Sequence, residues 1–99
     1  MKYQLETVEV LEDVELELDS IVFDAHLIVY NDEVNTFDWV IQCFTQILRH
    51  TSEQAEQLAC IIHYKGKATV KTAAKKVLLP FKDALLERGL AAVIEETVA

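Results

Sequence analysis

A chain of 99 residues with 52% hydrophobic side chains, two glycines and one proline is one folded, helix-rich domain with a modest core of its own. Its formal charge of −8 is concentrated at one end: Met1–Ala25 sets eight acids against one base, and His26–Ala99 sets nine acids against eight bases. The nearly neutral body excludes nucleic-acid binding as the main role, because phosphate contact needs a basic face.

No apolar run reaches the ~18 residues of a membrane span, and the acidic start has no signal-peptide pattern. A cytoplasmic protein without membrane or nucleic-acid partners is therefore expected, and a monomer. Cys43 and Cys60 fit a reducing compartment, and both fall on apolar helical faces, where cysteine behaves as a small buried hydrophobe.

Met1–Ala25 is an acidic arm. Val8, Val10, Val14, Leu16 and Leu18 alternate with acids at period two, which suits an extended segment; like charges repel and turn signals are absent, which suits a mobile one. The body, 26–99, is the core domain. Its first strand is His26–Tyr30, short and rich in Ile and Val, and it stops at Asn31-Asp32.

Phe37–Arg49 follows as a helix, with Phe37, Val40, Ile41, Phe44, Ile47 and Leu48 on one face. Asn35 or Thr36 serves as its N-cap, and Trp39 and Cys43 lie on a flanking face, so the helix is buried on more than one side. Thr51–Tyr64 is a second helix, with a capping box from Thr51 and Gln54 and Gly66 placed for a left-handed C-terminal cap.

Lys67–Lys71 reads as a strand. A third helix spans Ala74–Arg88 and contains Pro80, which should kink it or shift its start toward Leu79. Gly89 closes that helix and Leu90–Glu95 is the last strand. The order β-α-α-β-α-β predicts an α+β fold: a small three-stranded antiparallel sheet with three helices packed on one face.

Few residues suggest catalysis. Two glycines cannot build a phosphate loop. Cys60 and His63 lie three apart on one helix and Cys43 on another, but a zinc site needs a fourth ligand and no CxxC supports one. A Cys43–His63 nucleophile pair lacks an orienting group. No catalytic residue, metal or cofactor is expected. His26 and His50, at a strand start and a helix end, fit solvated histidines; His63 sits in the last turn of its helix, where a dipole contact would account for it. The Asn31-Asp32 pair is either plain turn chemistry or a set of acceptors at a pocket rim.

Three segments together resemble the ClpS adaptor family: Val29-Tyr30-Asn31-Asp32-Glu33, the helix opening Phe37-Asp38-Trp39-Val40, and Ile62-His63-Tyr64-Lys65-Gly66-Lys67-Ala68. The resemblance covers about Leu27–Ile94. It implies an adaptor, not an enzyme, that binds proteins whose first residue is a bulky hydrophobe (an N-degron). It further implies delivery to a Clp AAA+ unfoldase, ClpA- or ClpC-type, and its peptidase.

Such a task asks for acceptors around a free ammonium and an apolar hole beyond it. The family's amino-group ligands match Asn31, Asp32 and His63, with Asp32 expected to supply the compensating charge. Hydrogen bonds to charged groups contribute roughly 1.5–3 kcal/mol each. The hole is expected from Phe37, Val40, Ala59 and Ile62, with Asn35 at the mouth and Ala91 from the last strand.

The chain departs from the family where Asn35-Thr36 replaces Thr-Pro, where Phe37 and Ala59 replace methionines, and in a shorter segment before the third helix. Phe37 and Ala59 predict a relaxed or shifted first-residue preference that admits Ile or Val. Lys76 matches a basic position of the unfoldase contact, whereas Lys71 falls where many members carry an acid. The arm matches the family's N-terminal extension by position and length. The alternative is a protein-interaction module of the same α+β architecture with a different partner, a ribosomal-stalk-like docking domain.

Overall fold

The computed structural model describes Asp24–Glu96. The arm, and the choice between a mobile segment and an edge strand, thus lie outside the described residues, apart from Asp24 and Ala25 at the start of the first strand. The described elements are β1 (Asp24–Tyr30), α1 (Phe37–Ile47), α2 (Ser52–Lys65), β2 (Lys67–Ala74), α3 (Lys75–Glu87) and β3 (Ala91–Glu96). This is the expected β-α-α-β-α-β order.

β1 lies in the middle of the sheet, antiparallel to β2 on one side and to β3 on the other. Its alternation divides the two faces. Ala25, Leu27 and Val29 are sealed in the core with Cys43, Phe44, Ala55, Ile62, Leu78 and Leu85 from the helices. His26, Ile28 and Tyr30 project from the other face. Val70 is an extra residue in β2, because the pairing passes from Leu27 with Lys71 to Ile28 with Thr69. That bulge keeps Val70 in the core at 5% exposure.

The helices begin and end where side chains satisfy their terminal groups. Thr36 caps α1 by accepting from the Trp39 N–H at 3.1 Å. Thr51 and Gln54 form the reciprocal capping box of α2. Gly66 closes α2 at φ 95°, a left-handed conformation that glycine adopts without a Cβ penalty. Helix α1 stops short of the expected Arg49, since Arg49 itself is left-handed at φ 62°. That twist costs a non-glycine residue about 1–2 kcal/mol and makes the short turn into α2.

Trp39 and Cys43 do form a second buried face of α1. The indole N–H donates to the Arg88 carbonyl at 3.0 Å, the Arg88 guanidinium lies 5.7 Å over the indole ring, and Cys43 is fully buried. Pro80 does not move the start of α3 to Leu79; the helix begins at Lys75 and runs through the proline. Leu78 and Leu85, both 0% exposed, hold the inner face in place. Burying two leucines contributes roughly 1.5–3 kcal/mol each, enough to offset a proline penalty of about 3 kcal/mol. β2 continues past Lys71 to Ala74, three residues of Thr and Ala that read equally as a helix start.

His50 is not a solvated histidine. It is half-buried, its ring packs edge-on to Phe44 with 6.2 Å between centroids, and its Nδ1 is buried without a partner among the described residues. His26 lies on the outer face of the sheet, with Nδ1 3.0 Å from the Thr72 hydroxyl.

Candidate functional site

The site lies at the end of the sheet where β1 leaves it. The Asn31 backbone N–H donates to the Gly66 carbonyl at 2.8 Å, so the exit of β1 is tied to the C-terminal cap of α2. The next five residues turn back to start α1. A cleft of about 720 Å³ opens between this turn, the first turns of α1 and the last turns of α2. Asn31, Asp32, Glu33, Asn35, Phe37, Val40, Ala59, Ile62 and His63 line it, together with Cys60 and Tyr64.

The turn is held by Asp32. One of its carboxylate oxygens accepts from the backbone N–H groups of Val34 at 2.9 Å and Asn35 at 2.8 Å. The other accepts from the Asn35 side-chain amide at 2.9 Å. The same amide donates to the Gly89 carbonyl at 2.8 Å, which pins the turn to the loop between α3 and β3. The Asn35 N–H, above all, keeps the Asp32 carboxyl below the usual carboxylate range; burial opposes this, and the Asn35 amide and Val34 N–H reinforce it. Asp32 is therefore ionised, and both its oxygens are engaged in building the rim.

Its neighbour Glu33 is different. Glu33 is exposed, lines the same cleft, and makes no hydrogen bond or ion pair among the described residues. Sequence reasoning missed it. An Asp that accepts from the backbone N–H groups two and three residues on is Asx-turn chemistry, and here it leaves the next acid as the unengaged charge. Asn31 and His63 are exposed at the rim. The His63 ring lies edge-on to Tyr64, 5.0 Å between centroids.

The apolar part of the cleft comes from helix periodicity. Phe37 and Val40 are one turn apart on α1, and Ala59 and His63 are one turn apart on α2. Exposure falls inward: Phe37 is 39% exposed, whereas Ala59 is 3% and Ile62 4%. The structure thus brings together every expected lining residue except Ala91. That residue pairs with Tyr30 and is exposed on the outer face of the sheet, because the side chains of β3 alternate and Ala92 takes the inward position. Leu90, one residue earlier and 3% exposed, is the one that sits behind the rim with Val40 and Ile62. Lys76 is exposed on the first turn of α3. It belongs to the opposite end of the sheet, one strand length or roughly 20 Å from the cleft.

The cysteines do not assemble into an active centre with His63. Cys43 is sealed in the core, and burial pushes its thiol up, against the opposing pull of Arg88; such a thiol is a poor nucleophile. No cluster of three His, Cys, Asp or Glu side chains suited to a metal occurs among the described residues. No helix among them is long and apolar enough to cross a membrane.

The site is a rim of oxygen acceptors over an apolar hole. The sequence profile of the ATP-dependent Clp protease adaptor protein ClpS matches residues 24–91. The ATP-dependent Clp protease adapter protein ClpS of Thermosynechococcus vestitus is 34% identical over 65 residues, which cover 65% of this chain and 69% of that one. The structure of Agrobacterium tumefaciens ClpS2 bound to L-phenylalaninamide superposes with a TM-score of 0.73, at 13% identity, over 77% of this chain and 99% of that one. The chain belongs to the ClpS family of Clp protease adaptors. Its family role is that of an adaptor to the Clp protease, not of a catalyst.

Proposed function

We propose that the cleft holds the first residue of a substrate protein, with its α-ammonium at the rim and its side chain in the hole. The observation that carries this is the pairing of an unengaged carboxylate, Glu33, with the Asn31 and His63 side chains above a buried apolar floor. An N-terminal residue differs from an internal one by a cation with three donors. Glu33 supplies charge and acceptor, Asn31 supplies its amide oxygen, and His63 accepts through a ring nitrogen when neutral. Asp32 adds negative potential and keeps the rim in shape. Val40, Ala59 and Ile62 receive the side chain, and Asn35 and Phe37 stand at the mouth.

The relative from A. tumefaciens carries L-phenylalaninamide, a free amine next to a bulky side chain, which is the ligand chemistry this cleft suits. Several charge-assisted bonds and one buried side chain, less the cost of association, put the affinity near micromolar, about −8 kcal/mol. Such a complex releases its cargo readily. The receiving partner is a ClpA- or ClpC-type unfoldase, the setting is cytoplasmic, and the exposed start of α3 around Lys76 supplies part of the docking surface.

Titrating the protein with a labelled peptide that begins with Phe or Leu, and with its N-acetylated form, tests the cleft. Binding of the free amine alone, weakened by Glu33→Gln, is expected. Equal binding of the two peptides would falsify it.

A further inference from the structure

The loop between α3 and β3, Arg88–Leu90, is held at each of its residues. The Trp39 indole N–H donates to the Arg88 carbonyl at 3.0 Å, and Arg88 Nη1 donates to Gln46 Oε1 at 2.8 Å. Helix α1 thus grips Arg88 by backbone and by side chain. The Leu90 N–H donates to the Leu85 carbonyl at 3.0 Å, which folds the loop back onto α3. Between these anchors Gly89, at φ 90°, offers its carbonyl to the Asn35 side-chain amide at 2.8 Å.

That last bond decides which way round the Asn35 amide sits. A side-chain amide has two N–H donors and one acceptor oxygen. Here one amide nitrogen reaches both the Gly89 carbonyl and, at 2.9 Å, the Asp32 carboxylate, so each of its hydrogens has an oxygen to meet. Half a turn of the group would set its own oxygen against both acceptors. The Gly89 carbonyl therefore selects the arrangement in which Asn35 donates to Asp32, and Asp32 in turn holds the backbone of Val34 and Asn35 and with it the turn that carries Glu33.

We infer that Trp39 is a positioning residue for recognition of the substrate's α-ammonium. Its indole N–H fixes Arg88, the adjoining Gly89 carbonyl then meets the Asn35 amide, and the Asp32 turn presents Glu33 in place. Trp39 is not among the residues that line the cleft and acts only through the others. The inference rests on the amine-binding role proposed for the cleft and extends its machinery to a side chain outside it.

Trp39→Phe keeps an aromatic ring and removes the N–H donor. A labelled peptide beginning with Leu, as free amine and N-acetylated, is titrated well below the melting point of each variant. The expected loss for the free amine is about fivefold, the scale of one neutral hydrogen bond. Gly89→Ala strikes the same link from the loop: its new Cβ meets nothing nearer than Asn35 Oδ1 at 3.8 Å, but alanine resists the left-handed backbone and turns the carbonyl away from Asn35. A similar loss of about fivefold is expected. In Asn35→Ala the route is already cut, so adding Trp39→Phe should weaken binding by less than about twofold more. In proton–nitrogen correlation spectra of Trp39→Phe, the Asn35 side-chain amide signals should shift while those of Gln54, in the capping box of α2, stay in place.

Unchanged free-amine affinity in Trp39→Phe overturns the inference. So does a further fivefold loss on top of Asn35→Ala, which puts the effect outside this route, and so do unmoved Asn35 amide signals. Those outcomes leave amine recognition standing. Equal binding of the free and acetylated peptides by the unaltered protein, or binding of neither, removes the amine-binding role and this inference with it.

Discussion

The rim and the floor of the cleft are built by different physics. The rim, Asn31–Asn35, is polar and largely exposed, and its shape depends on hydrogen bonds made by Asp32 and Asn35. The floor, Val40, Ala59 and Ile62, is apolar, and its shape follows from where two helix faces meet. Ile62 belongs at once to the floor and to the core, whereas Glu33 belongs only to the rim. A change at Ile62 should therefore act on folding and on every ligand alike. A change at Glu33 should act on the ligand's amine and spare the fold. Specificity for an N-terminus and specificity for a side chain are in this way separable within one small site.

The largest effect is expected from Ile62→Ala. Truncating a buried isoleucine costs about 2–5 kcal/mol, read as a lower midpoint in chemical denaturation, and affinity should fall for all first residues together. Glu33→Gln comes next: removing one charge-assisted bond should cost roughly 1.5–3 kcal/mol of binding, ten- to hundredfold in affinity, with the denaturation midpoint unchanged. A lowered midpoint with intact affinity in Glu33→Gln would erase the distinction between the two regions.

Asp32→Ala should behave as a hybrid. It strands the Val34 and Asn35 N–H groups and frees the Asn35 amide, a loss of about 1–2 kcal/mol in stability on the scale of lost caps, and affinity falls because the rim loses its shape. Asn35→Ala tests the same scaffold from its other end, since the Asn35 amide joins Asp32 to Gly89. A smaller loss, about 0.5–1.5 kcal/mol, is expected there. An Asp32→Ala protein that melts like the unaltered one yet fails to bind would make Asp32 a direct ligand.

Much of the floor was legible in the sequence, because helix periodicity places Phe37 with Val40 and Ala59 with Ile62 before any coordinates are known. All six elements were legible too; β1 starts two residues before the expected His26, α1 ends short of left-handed Arg49, and β2 runs on through Thr72, Ala73 and Ala74. The rim was half legible. Asn-Asp marks a turn, but which of two adjacent acids builds it and which is left free depends on backbone N–H directions that sequence does not carry. Ala91 was misplaced by one residue, and in a strand a shift of one residue exchanges the two faces.

Acid should separate the two regions by a different route. His50 packs against Phe44 behind the helices, and burial holds its imidazole below the ordinary histidine value of 6.5, partly offset by a hydrogen bond with the Val70 backbone and lowered further by Lys71. The unfolded chain therefore takes up this proton first. Stability should be level above about pH 6.5, fall as the pH drops through it, and level off again once the folded protein also binds the proton. Asp32 has a lowered value as well, but for a carboxylate the sign reverses: its contribution is full above its ordinary value of 3.8 and is lost only as the pH falls through the lowered folded one. Between pH 7.5 and 5 the core should thus weaken while the Asp32 turn stays ionised and intact. Denaturant midpoints of the protein and of His50→Gln across that range decide the point, since the variant should lose the part of the slope that His50 supplies. Identical slopes would show that His50 does not carry it.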